Sequence, residues 1–158
     1  MLKDKRLSLL GALAIGIICG CSDDGRLETY PVQGQVLING EPADGCTVRF
    51  VPVDPNLQGE ILPGGKTDED GRFQLTTYES DDGAPAGEYD VTLLWAATKW
   101  PGRKAQMGAD PVPPTGPDLL MGQFGSPQKS TLTATVSEEP NELAPFKLDD
   151  VRLLPGAE

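Results

Sequence analysis

Histidine is absent from all 158 residues, and that absence excludes more chemistry than any motif present. No imidazole is available as a base titrating near neutrality, and zinc sites built on histidine are ruled out. Aromatic side chains are sparse: two Trp, three Tyr and four Phe, against 19 Gly and 15 Pro. That balance points to many turns joining short strands rather than to a helical bundle, so the expected fold is all-β. The longest apolar run, Leu7 to Ile18 (LSLLGALAIGII), is too short to cross a hydrocarbon core of ~30 Å, which takes about 20 helical residues. Neither a phosphate-binding loop nor a serine-centred nucleophile elbow is found. Catalysis by Ser, Lys or paired carboxylates is left open by composition, but no pair is flagged, because carboxylate separation belongs to the fold. The domain is therefore expected to be non-enzymatic and to need no cofactor.

Charge excludes a further class. The chain holds 13 basic and 24 acidic groups, a net charge of −11. The first twenty residues contain Lys3, Lys5 and Arg6 against Asp4, so the remainder keeps ten basic and 23 acidic groups, a net −13. The field of such a surface repels phosphate backbones, and nucleic acid is not an expected partner.

What is present begins at the amino terminus. A short basic stretch, Met1 to Arg6, precedes the apolar run, which ends in Ile18-Cys19-Gly20-Cys21. Basic, apolar and then small residues are the order of an export signal. Ile18-Cys19-Gly20-Cys21 resembles the lipobox of bacterial lipoproteins, with Cys19 a less usual residue at its second place. The resemblance implies cleavage between Gly20 and Cys21, a diacylglycerol on the Cys21 sulfur and acylation, as by palmitate, of the new amino group. A cysteine suits thioether formation because its thiolate is a strong nucleophile, and two or more acyl chains anchor stably where one does not. The alternative is an ordinary signal cleaved near Gly20 that leaves Cys21 as a free thiol. Removal of 1–20 with Cys21 lipidated leaves Cys46 without a disulfide partner, and it is expected as a small buried residue. In this family an Asp after the lipidated cysteine favours the inner membrane. Ser22 stands there instead, which implies placement at the outer membrane or cell surface.

Residues 21–30 (CSDDGRLETY) lack an apolar period and read as a flexible tether. From Pro31 the pattern has period two between turn residues. Val32, Gly34, Val36 and Ile38 share one face, and Asn39-Gly40 signals a tight hairpin. Cys46, Val48 and Phe50 follow, then Phe73 and Leu75, then Tyr89, Val91, Leu93 and Trp95, with Leu132, Ala134 and Val136, and finally Phe146 and Leu148, each expected to face a common core. The expectation is one small antiparallel β-sandwich over 31–150, with a Pro/Gly-rich insertion at about 97–129 and a tail at 151–158.

Gly45-Cys46-Thr47-Val48-Arg49-Phe50 after the Asn-Gly hairpin, Thr67-Asp68-Glu69-Asp70-Gly71-Arg72-Phe73 and Pro85-Ala86-Gly87-Glu88-Tyr89-Asp90-Val91 together resemble the carboxypeptidase regulatory-like, transthyretin-like β-sandwich. The match covers 31–96, with a closing strand at 130–149. Related hydrolases and dioxygenases depend on histidine, so the resemblance does not carry their activities here.

Two candidate sites remain. Asp68 and Asp70 begin like a calcium loop, but Arg72 stands at its fifth place and Gly71 at its fourth, so the register is wrong for an EF-hand. A looser site pooling them with Asp81 and Asp82 requires two loops to meet, and solvated turn carboxylates are the preferred account. In the insertion, Lys99, Arg103 and Lys104 beside Trp100 form a basic and aromatic patch. It suits an envelope polysaccharide or protein partner through stacking and ion pairing, and a linker whose Trp100 covers the sandwich edge is the plainer alternative. Asp118 to Phe124 is expected to be a helical turn or an edge strand.

Overall fold

The structure is a computed structural model and describes residues 25–97 and 116–155. The described residues form nine strands: β1 (Val32–Ile38), β2 (Glu41–Pro42), β3 (Thr47–Pro52), β4 (Gly64–Lys66), β5 (Arg72–Gln74), β6 (Gly87–Leu94), β7 (Leu132–Val136), β8 (Asn141–Glu142) and β9 (Phe146–Leu148). They form two sheets packed as a sandwich, and no helix occurs among the described residues. One sheet runs β4-β3-β6-β7, antiparallel throughout. The other centres on β1, flanked by β5 and β2 on antiparallel ladders.

The expected antiparallel sandwich carries one addition. β8 and β9 both pair with β1 in parallel. Parallel neighbours need a long crossover connection, and the whole opposite sheet lies between β1 and β8 in the chain, so the return segment can lie beside β1 in the same direction.

Alternation places the core as the period-two pattern requires. Val32, Val36, Ile38, Cys46, Val48, Phe50, Phe73, Leu75, Tyr89, Val91, Leu93, Val136 and Leu148 are buried. Phe50 from β3 meets Tyr89 within its own sheet at a ring-centroid distance of 5.6 Å, and Phe73 and Phe146 of the other sheet at 6.3 and 6.5 Å. Such tilted and edge-on geometries suit the ring quadrupoles and add roughly 0.5–1.5 kcal/mol per pair beyond area burial. Trp95 ends the inward period only half-buried, with its indole N–H donating to the Asp44 carbonyl at 2.7 Å.

The turns are built as their residues dictate. Asn39 and Gly40 both have positive φ, 52° and 85°, the requirement of the two-residue hairpin that pairs Ile38 with Glu41. At the β4–β5 edge the two sheets touch: Gly64 and Thr76 exchange both backbone hydrogen bonds, at 3.0 and 2.9 Å. A Cβ on Gly65 would lie 2.2 Å from the Gln74 carbonyl oxygen, so only glycine admits this approach. Gly34, opposite Phe73 in the β1–β5 ladder, is covered by the Phe73 ring, and a Cβ there would meet it at 2.7 Å.

The segments flanking the sandwich are laid onto it. Of the tether, residues 25–30 lie along the 76–84 loop. Tyr30 and Ala84 exchange backbone hydrogen bonds at 2.9 and 3.1 Å, the Leu27 N–H donates to the Tyr78 hydroxyl at 3.3 Å, and Arg26 sits over the Tyr78 ring while pairing with Glu79 at 3.6 Å. The start of the expected tail is likewise fixed, with Val151 and Asn39 joined by two hydrogen bonds of 2.9 Å. Asp118 to Phe124 is neither helix nor strand but a series of turns, with Met121 and Gly122 at positive φ. The Asp118 carboxylate accepts from the N–H groups of Trp95, Leu120 and Gly122 at 3.0, 3.1 and 2.8 Å, and Leu120 is fully buried.

Gly65→Ala is expected to destabilise the domain by about 1–3 kcal/mol, the cost of forcing a methyl against fixed backbone. Thermal unfolding should show a midpoint lower by roughly 4–12 °C. Gly125→Ala, whose Cβ meets only ordinary contacts at 3.7 Å, is the control and should leave the midpoint unchanged.

Candidate functional site

The residues singled out in the sequence fall into two groups. Gly20, Cys21, Lys99, Trp100, Arg103 and Lys104 lie outside the described residues. Asp68, Asp70, Asp81 and Asp82 lie within them, and their roles are specific.

Asp68 organises the turn before β5. Its Oδ1 accepts from the N–H groups of Asp70 and Arg72 at 3.0 and 2.8 Å, while Gly71 takes the left-handed conformation at φ 72°. This is the local backbone capture for which Asp is favoured in turns. Asp82 does the same for its loop, accepting from Thr77, Tyr78 and Glu79 at 2.7, 2.9 and 3.0 Å. Asp81 and Asp68 both line one cleft, so the two loops do approach one another. Among the described residues, however, no three metal-ligating side chains converge.

That cleft, of about 650 Å³, lies over the outer face of β1 and β5 and is walled by Gly65 and Lys66 of β4. Its floor follows from register. Glu142, Gln33 and Gln74 are direct neighbours across β8, β1 and β5, and Gln35 lies opposite Arg72 in the next row of the same face. Alternation sends these side chains outward because Val32, Val36 and Phe73 point in. A second hollow of about 280 Å³ shares Gln33, Gln74, Asp81 and Glu142 with the first, so the two form one trough. No sequence motif marks it: three glutamines and one glutamate at outward strand positions look like ordinary solvated residues until pairing brings them into rows.

On the opposite sheet, Cys46 is fully buried and free of any disulfide. Burial, reinforced by the charge of Asp118, pushes its thiol up to about 12. Its backbone N–H donates to the hydroxyl of buried Thr67 at 2.7 Å, and that hydroxyl donates in turn to the Ala43 carbonyl. A thiol so raised is almost entirely protonated near neutrality, which makes it a packing residue and a poor nucleophile.

No family model and no curated protein matches the chain.

Two measurements test this account. Cys46 is expected to be inert to a disulfide-exchange thiol reagent in the native chain and to react promptly once denatured. Asp82 contributes to acid stability. Burial disfavours its charge, but the N–H groups of Thr77, Glu79 and Tyr78 outweigh burial and hold the carboxyl below its usual range. A depressed folded pKa contributes stability above the unfolded value of about 3.9, and that contribution disappears as pH falls through the folded value. Asp82→Asn should therefore lower the unfolding midpoint near pH 7, with the gap to wild type closing as pH falls through the folded value.

Proposed function

We propose that the chain is a lipoprotein of the bacterial cell envelope in which lipid on Cys21 holds a non-catalytic β-sandwich at a membrane, for a structural or recognition role. The observation that carries this reading is the basic stretch, the apolar run and Ile18-Cys19-Gly20-Cys21 in that order, followed five residues on by Arg26, whose side chain is clasped to the folded body. Five residue steps span at most about 17 Å. The arrangement is economical for an anchored domain: little chain separates the lipid attachment point from the fold.

The finer fold assignment belongs to the same proposal. The Asn39-Gly40 hairpin, the Asp68–Gly71 turn and the Gly87 entry into β6, three motifs behind the carboxypeptidase regulatory-like resemblance, all sit at strand ends. The absence of histidine and the commitment of Asp68 and Asp82 to backbone N–H groups support a role without catalysis. Ser22 after Cys21 supports the outer membrane or cell surface over the inner membrane.

Metabolic labelling with a palmitate analogue tests the anchor. Label is expected on the wild-type chain in the membrane fraction and not on Cys21→Ser, which should appear in the soluble fraction. Label retained by Cys21→Ser would defeat the proposal.

A further inference from the structure

We infer that the trough across β8, β1 and β5 is a binding site for a neutral, hydroxyl-rich glycan chain. The inference rests on the reading of the domain as an envelope module, where such polymers are at hand.

The backbone of the floor is already spent on the β1–β5 and β1–β8 ladders. A ligand there must be recognised by side chains, which excludes a peptide added as an extra strand on this face. The side chains on offer are polar. The carboxamides of Gln33 and Gln74, the Glu142 carboxylate, and the Lys66 and Arg72 cations line the trough without a hydrogen bond or ion pair among the described residues. Gln35 donates to the Asp70 carbonyl at 2.8 Å, which fixes its side chain and leaves its amide oxygen to accept.

A carboxamide is donor and acceptor at once, the complement of vicinal hydroxyls, each of which is also both. Charge then narrows the class. Lys66 and Arg72 are outnumbered by Asp68, Asp81 and Glu142, so the trough carries no surplus positive charge with which to hold a polyanion. Apolar ligands are disfavoured because Phe73 is buried at the floor and, among the described residues, no aromatic ring is exposed in the trough. The volume, about 650 Å³ with about 280 Å³ adjoining, is in the range of small-molecule sites and extends along the sheet as a chain would. Recognition by a few exposed hydrogen bonds without ring stacking sets the affinity low, with a dissociation constant on the order of 1 mM.

The test is a titration of the full-length chain in detergent with soluble tetramers of glucose and of N-acetylglucosamine, and with an oligogalacturonate as the acidic counterpart. The side-chain amide NMR signals of Gln33, Gln35 and Gln74 are the readout. At least one neutral tetramer is expected to shift these signals saturably, the acidic oligomer is not, and Gln33→Ala/Gln74→Ala should weaken binding tenfold or more at an unchanged unfolding midpoint. No saturable shift with either neutral tetramer up to about 10 mM overturns the inference. So does preference for the acidic oligomer, or binding that survives the double substitution. The readout is independent of lipid on Cys21, so failure here and failure of the anchor are separate results.

Discussion

The contact of β4 with the end of β5 is the constraint on which the rest of the molecule depends. A sandwich whose sheets meet only through side chains leaves about 10 Å between them. Here one edge is drawn together until backbone meets backbone, through the paired hydrogen bonds of Gly64 and Thr76. The closure seals the core beside Phe73 and at the same time sets Gly65 and Lys66 as a wall beside the outer face of β5. Core and trough are two sides of one close approach, and a side chain at Gly65 would loosen both.

Polar groups trapped by this packing are settled locally. Thr67, immediately after β4, is buried, and its hydroxyl links the Cys46 N–H to the Ala43 carbonyl. Tyr89 reaches the Pro85 carbonyl at 2.7 Å, and among the described residues no buried side-chain nitrogen or oxygen lacks a partner. An unpaired group would cost about 1–3 kcal/mol, a large share of the margin of a small domain. The loops show the same economy: Asp68, Asp82 and Asp118 each gather two or three N–H groups that the turns leave without ladder partners. The many carboxylates of this chain are thus partly a means of holding irregular backbone.

How far the sequence revealed the structure depends on what each residue contributes to a pattern. The strands carrying alternating apolar side chains, β1, β3, β6, β7 and β9, were legible, as was the Asn39-Gly40 hairpin, because burial and positive φ act through residue type. β4 was not, since Gly64 and Gly65 hold their place by having no side chain and leave no period to read. β2 and β8, two residues each, are too short to show one. The docking of 25–30 was hidden for another reason: Arg26, Leu27 and Tyr30 are held by Tyr78, Glu79 and Ala84, some fifty residues away in sequence. The trough was equally invisible, because the neighbours of Gln33 are fixed by pairing register and not by anything near it in the chain.

The clasp at Arg26 also bears on geometry outside the protein. With lipid on Cys21, Arg26 could stand at most about 17 Å from the attachment point, which would confine the domain to a thin layer above the bilayer rather than let it range through the space beyond. The loop that receives the clasp also supplies Thr76 and Asp81 to the trough, so the mouth of the trough would be carried close to the bilayer. Encounters with other anchored molecules would then be two-dimensional, governed by surface density and lateral diffusion. Weak affinity is serviceable in that setting, because many copies held in one plane can engage a long polymer together.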